Sequence, residues 1–553
     1  MKRALDRLDS ERFDLVVIGG GVYGLAAARE AALRGLSVAV VEKNDFGQAT
    51  SAASLKLIHG GLRYLQHLNF HRMRISIGER HRMLALAPHL VHPIEFIIPC
   101  YGHGMRGPEA LRLAFLANDA LSWDRNQGLD SMHRIPPGRM LSPSECRTRL
   151  PGIPVAGLTG GGSFCDAQMY SSERLTLAYA LAANERGAAL ANRMEVIGFD
   201  RTSDRIQAVR ALDRESGRTL SVAGDFFLNM TGPWIEHLAS MLHPSKPDSV
   251  VLRSKGIQLV TPSISEVGFP IESRQKDVTA RIQRGGRNYF VTPWRGRSLI
   301  GTTDTLFKGD PSSFTITESD ISAFLKELRE IYPSADLSRK DVLFWIGGLR
   351  PLGDEDDRPD VAQASHQMQR IDHWDRDGVN NLLSVTGVKY TVARHVAESM
   401  ISLIVQRLRR GEKAGIGRRT PLPGGDIPVW DTFLKSVARE SGHSLSISRH
   451  LAHLYGTQWR QVTTLGHLQP DWLTCIAGSE EVIRAEVVHA VREEMALHLT
   501  DVLLRRTDLG TLGNPGELAI RECADLMAME LGWTPERTGK EIQEAQSIYT
   551  LAP

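Results

Sequence analysis

A glycine cluster set directly behind an apolar run constrains this chain more than any other feature. Phe13 to Ile18 (FDLVVI) is mostly apolar and β-branched and reads as a strand buried on both faces, as in a parallel sheet. Gly19-Gly20-Gly21-Val22-Tyr23-Gly24 follows with no spacer and matches GxGxxG at Gly19, Gly21 and Gly24. The next residues, LAAAREAALRG, are strong helix formers ending at Gly35. A second strand, Ser37 to Val41, leads to Glu42, 18 residues past Gly24, where a dinucleotide-binding βαβ unit places its ribose-hydroxyl acceptor. Glycines permit the tight turn and the close approach of backbone to a pyrophosphate, while the helix N-terminus offers open N–H groups and partial positive charge. A ligand-free turn explains the glycines but not strand, helix, second strand and acid in this order. An acidic Glu42 also disfavours a 2′-phosphate, and hence NADP.

A chain of 553 residues is too long for one ordinary core and suggests about three domains of roughly 150 to 200 residues. Its balance of 42% hydrophobic and 24% charged residues is that of a soluble globular protein, and a net charge of +2 gives no reason to expect nucleic acid. Cys100, Cys146, Cys165, Cys475 and Cys523 are scattered and form no CxxC, so neither a disulfide framework nor a metal site is expected. A reducing, cytoplasmic compartment fits this usage. The polar start MKRALDRLDSERFD does not read as a signal peptide, and no apolar run approaches the roughly 18 residues of a spanning helix. Any membrane contact is therefore expected to be peripheral, on the inner face of the cytoplasmic membrane.

The segment Ala49 to Leu65, ATSAASLKLIHGGLRYL, decides which dinucleotide is expected. It resembles the flavin-wrapping segment of the FAD-dependent glycerol-3-phosphate dehydrogenase family. Thr50, Ser51 and Ser54 offer short hydrogen-bonding arms, and Gly60 and Gly61 let backbone approach a planar ring. Four later motifs resemble the same family in order: LNMTGPW (228–234, with Gly232), GTTD (301–304), IGGLRPL (346–352) and LSVTGVKYTVAR (383–394, with Gly387 and Thr391). LPGG (422–425), LYGT (454–457) and the run ending TDVLLRRT at Thr507 resemble its C-terminal domain.

The resemblance implies a Rossmann-like α/β FAD-binding domain, an antiparallel-sheet substrate domain and a C-terminal helical domain. The expected FAD-binding portion is discontinuous within 13–400 (about 13–105, 145–250 and 345–400), with a substrate-binding insert at about 251–344. A basic linker at 401–420 and a helical domain at 421–553 follow. Within the insert, IQLVTP and NYFVTPW alternate as antiparallel strands do. The implied reaction is oxidation of sn-glycerol 3-phosphate to dihydroxyacetone phosphate by hydride transfer to FAD, with quinone as electron acceptor; a second copy of the chain is a further candidate partner.

Oxidising an alcohol carbon requires that the hydroxyl proton also leave, and His59 is the candidate base or relay. Fixed cations are needed for a phosphate dianion, and Arg63, Arg350 and Lys389 stand in the matched motifs, with Tyr64 as a further substrate contact. Arg350 or Lys389 is equally able to stabilise negative charge on the flavin or a developing alkoxide. Four positions depart from the family pattern. Gln258 stands where K-G-S-H has histidine, Ala364 where an arginine is usual, and Val388 and Val392 where G-G-K-x-T-T has its second glycine and second threonine. These departures keep two alternatives open: a flavin enzyme of the same fold acting on another hydroxy or amino substrate, and a flavin-binding homologue without turnover. Finally, six basic residues between Arg407 and Arg419 read either as a solvated linker or as a contact for anionic headgroups.

Overall fold

The computed structural model describes residues 1–243, 252–276, 286–352, 368–387, 389–411 and 415–551. Ala364 and Val388 lie outside them. Arg12–Ile18 forms the central strand of an eight-stranded sheet, flanked in parallel by Val38–Val41 on one side and Thr219–Asn229 on the other. Ile18 stands level with Val41 and with Asn229, so the carboxyl ends of all three strands open on one edge. Val38–Val41 is buried at every residue because helices cover the face of Val38 and Val40 while Leu8, Met194, Val196 and Val209 pack with Ala39 and Val41 on the other, which is why an unbroken VAVV run suits it. Leu382–Thr386 extends the parallel order beyond Thr219–Asn229, and Ala189–Ala191 closes the other side.

The helix Val22–Leu33 starts at Gly21 and stops where Gly35 turns left-handed at φ +86°. Its alanines, Ala26, Ala27, Ala28 and Ala31, are fully packed in one core with Leu177 and Ala180 of the helix Ser172–Glu185 and with Ala397 and Ile401 of the helix Ala393–Arg407. Small side chains let the three helices approach closely over the sheet. Val396, Met400 and Ile404 are buried on one face of the last of these helices, with Leu403 and Leu408 half-buried beside them.

A six-stranded antiparallel sheet stands over the carboxyl edge, with Arg253–Pro262 and Gly286–Trp294 both paired to Arg297–Gly301. Phe344–Pro351, grouped by sequence with the FAD-wrapping motifs, instead pairs along Arg253–Pro262. Arg350 thus stands on the roof sheet and not on the nucleotide sheet. A four-stranded sheet built on Val91–Tyr101 and Leu158–Met169 supports the other flank, and its register brings the short strand Leu57–Ile58 beside Ala167 and Gln168. Beyond residue 415 the chain is helical, with Leu451, Val488, Ile520 and Met527 in a core of their own. The expected linker 401–420 begins inside a helix, since Ala393–Arg407 continues to Arg407.

Candidate functional site

The turn after the first strand leaves no room for side chains. Gly19 has φ +109°, and a Cβ there would lie 2.6 Å from the Met230 carbonyl oxygen; Gly24 packs directly on the Gly19 carbonyl. The helix Val22–Leu33 begins at Gly21 with no side chain capping from that residue, while the Ser51 hydroxyl accepts the Val22 N–H at 2.9 Å. Glu42 accepts from the backbone of Gly20 at 2.6 Å and Asn44 at 2.7 Å. Burial pushes its carboxyl upward, and these two N–H groups partly offset that.

Gly19, Gly21, Glu42, Thr50, Ser51 and Ser54 line one cavity of about 1590 Å³ that also takes in Gly232, Gly387, His59, Arg63, Lys389 and Arg350. The volume exceeds the roughly 300–1,000 Å³ of ordinary small-molecule sites and suits an extended dinucleotide with a substrate beside it. Side-chain-free backbone at the helix start, a half-buried acid at the end of the second strand and a cavity of this volume fit FAD. Gly20, Gly24 and Gly60 stand behind the wall: they supply clearance and hydrogen bonds from outside the lining. Thr50 ties the loop to the roof by donating to the Leu349 carbonyl at 2.8 Å.

At the far end, Gly61 adopts φ +80° and is covered by the Tyr64 ring, leaving no space for a Cβ. The Gly60 N–H donates to Asp166 at 2.6 Å, and Asp166 also pairs with Arg80, so the His59-Gly60-Gly61 turn is held from behind. The His59 backbone N–H reaches the Thr391 hydroxyl at 3.3 Å. Lys389 donates to the Tyr64 hydroxyl and sits 4.3 Å from that ring's centre, with the Arg72 guanidinium 5.6 Å away from the same ring. Arg350 bonds the Ser254 hydroxyl at 3.3 Å and the Thr303 carbonyl at 3.2 Å, with Asp304 at 3.5 Å. Gln258 is buried on the neighbouring strand. It donates to the Thr302 hydroxyl at 2.5 Å, and its carbonyl oxygen has no partner among the described residues.

Burial, Lys389 and Arg80 together hold the His59 imidazole down to about 3, so it is neutral across the physiological range. Lys389 opens onto the cavity and not onto bulk water; this burial, reinforced by Arg72 and Arg63, brings its ammonium down to about 7. Cations crowded against each other in a cavity favour an anion between them.

Arg72 and Tyr23 were not singled out by sequence. Arg72 stands seven residues past Leu65, on the helix Phe70–Leu86, with no local pattern to mark it. Tyr23 fills an unspecified position of the glycine motif, yet its ring packs on Gly387 and its hydroxyl donates to the Lys389 carbonyl at 2.8 Å. Three arginines of the basic run are engaged internally: Arg407 with Asp372, Arg410 with Asp14 and Arg418 with Glu398. These pairs favour the linker reading of that run over headgroup contact.

The FAD dependent oxidoreductase family matches residues 14–398, and the C-terminal domain of alpha-glycerophosphate oxidase matches residues 416–538. A Synechocystis glycerol-3-phosphate dehydrogenase is 33% identical across 98% of this chain and 97% of its own length. A glycerol-3-phosphate dehydrogenase of Mycobacterium leprae is 31% identical across 98% of this chain and 88% of its own. The crystal structure of the glycerol-3-phosphate dehydrogenase of Bacillus halodurans, complexed with FAD, superposes with a TM-score of 0.75 at 24% identity, covering 99% of this chain and 97% of that one, and so shares the fold. With these matches spanning the chain from the glycine turn to the C-terminal helices, the chain belongs to the FAD-dependent glycerol-3-phosphate dehydrogenase family.

Proposed function

We propose that the cavity oxidises sn-glycerol 3-phosphate to dihydroxyacetone phosphate and that the electrons leave to a quinone. The observation that carries this reading is the convergence of Arg63, Arg350 and Lys389 on the cavity that also holds a neutral His59. FAD supplies the two-electron acceptor for the hydride. Arg63, Arg350 and Lys389, joined by Arg72, hold the phosphate dianion, guanidinium groups making paired bonds that a lone ammonium cannot. His59 takes the proton of the C2 hydroxyl, and the Asp166 contact to Gly60 keeps its turn in place. Tyr64 fixes the Lys389 ammonium by accepting its hydrogen bond.

For the acceptor, the helix Pro108–Leu121 is the relevant surface. It lines the cavity with Ala110, Leu111 and Ala114, and it turns Leu113 and Leu116 outward ahead of an exposed Trp123. Apolar side chains standing in water beside a cavity mouth suit contact with the bilayer that dissolves quinone, and no helix among the described residues is long and apolar enough to cross it. This exposed apolar helix supports the reading of peripheral association with the inner face of the cytoplasmic membrane.

Anaerobic mixing of the holoenzyme with sn-glycerol 3-phosphate is expected to bleach the flavin, and glycerol is expected to leave it oxidised. Bleaching only by another hydroxy or amino compound, or by none, overturns the reading. His59→Gln should slow bleaching by about 10²- to 10⁴-fold while FAD stays bound. Flotation with anionic liposomes should be lost on Leu113→Asp with Leu116→Asp; a wild-type protein that never floats sinks the membrane contact.

A further inference from the structure

A buried ionic network joins the C-terminal helical unit to the loop that follows Glu42. Asp45 is 1% exposed, and its carboxylate receives Arg505 at 2.6 Å, Arg506 at 2.8 and 2.9 Å, and the Asn192 amide at 3.1 Å. Arg505 also bonds Asp501 at 2.6 Å, and Asp501 receives Arg193 at the same distance. Burial raises the Asp45 carboxyl, yet Arg506 and Arg505 outweigh it and hold the group well below the usual carboxylate range. Both arginines come from a π-helical turn, Val502–Arg506, which breaks the regular spacing and presents two successive side chains to one carboxylate.

The backbone around Asp45 is the backbone of the dinucleotide end. The Asn44 N–H bonds the Glu42 carboxylate at 2.7 Å, and the Gly47 N–H bonds the Gly20 carbonyl at 2.9 Å. On the other side, the Asn44 carbonyl accepts from Arg193 at 2.9 Å and the Glu42 carbonyl from Met194 at 2.7 Å. Hydrogen bonds from the π-turn to Asp45, and from the neighbouring backbone of Asn44 and Gly47 to the acid and the glycine turn, are therefore joined through the covalent loop 44–47. Residues 43–47 contain no apolar anchor but Phe46, so the direction of the Glu42 side chain depends on that path.

We infer that Arg505 and Arg506 are positioning residues for FAD. They act through Asp45 to set the loop 42–47, so that FAD binding and docking of the C-terminal helical unit stabilise each other. Linkage makes the effect reciprocal: whatever loosens the π-turn weakens FAD, and FAD protects the π-turn. The inference concerns the cofactor and stands whatever substrate the cavity oxidises.

The test is an FAD titration of deflavinated wild type, Arg506→Lys and Arg505→Lys, followed by flavin fluorescence, with kcat and the substrate KM measured at saturating FAD. Lysine keeps the charge but loses the two-pronged bond. The expected result is an FAD Kd raised about 10-fold or more, with kcat and KM within about 2-fold of wild type. Lowered thermal stability with an unchanged FAD Kd marks a purely structural pairing and overturns the inference. Hydrogen exchange of wild-type amides 499–507 with and without FAD gives a readout that needs no variant. Slowing on FAD addition is expected, and equal rates in both states overturn the inference even if both variants fail to fold.

Discussion

The two ends of the cavity are built on different principles. At the dinucleotide end the chain offers backbone: Gly19, Gly20, Gly21 and Gly24 clear space, and one acid, Glu42, stands 18 residues on. At the reacting end it offers side chains drawn from separated segments, with Tyr64 and Arg72 near one bend, Arg350 on the roof sheet and Lys389 beyond the last parallel strand. The difference teaches where tolerance lies. A backbone-built site fails sterically and as a whole. A site built from side chains fails by degrees, one interaction at a time.

The sharpest way to break that comparison is Gly24→Val. A side chain there meets the Gly19 carbonyl with no flexible group to give way, so FAD is expected to be absent from the purified protein and folding yield to fall sharply. A Gly24→Val protein that retains FAD shows that the turn has freedom the packing denies.

At the other end, Lys389→Met should leave FAD content unchanged and lower kcat/KM for glycerol 3-phosphate by about two to three orders of magnitude, as removal of one partner from a partly desolvated anion site does. Loss of FAD in this variant would erase the distinction between the ends.

The pH dependence sharpens it further. Lys389 is held down to about 7 by burial and by Arg72 and Arg63, so in the free enzyme its charge is lost as pH rises through that value. KM for the phosphate ester is expected to climb above about pH 7 in wild type and to stay flat over the same range in Lys389→Met. His59, held to about 3, contributes no break in that window. The smallest expected effect is at Glu42→Gln, where a neutral acceptor replaces a carboxylate already desolvated by burial; FAD Kd should rise about 10-fold, with kcat at saturating FAD unchanged.

The dinucleotide end was legible in the sequence because its information is local: strand, glycines, helix and acid fall within about 30 residues in fixed order. The C-terminal arginines were legible only as a motif. TDVLLRRT carried no chemistry until folding brought Arg505 and Arg506 to Asp45, more than 450 residues away in the chain. In the basic run Arg407 to Arg419 a charge pattern showed no partners, and folding pairs three of its six cations with Asp372, Asp14 and Glu398.

By itself, then, the sequence determined a dinucleotide site and the order of the elements, because glycine conformations and strand-helix periodicities are written into neighbouring residues, while the resemblance of the segment 49–65 pointed to FAD. Only the tertiary structure decided which cations face one another, that Arg350 stands on the roof, that Arg72 and Tyr23 join the site, and that the C-terminal unit grips the loop behind Glu42. These follow from sheet register and helix packing, which sum weak contacts over the whole chain and leave no local trace at the residues they bring together.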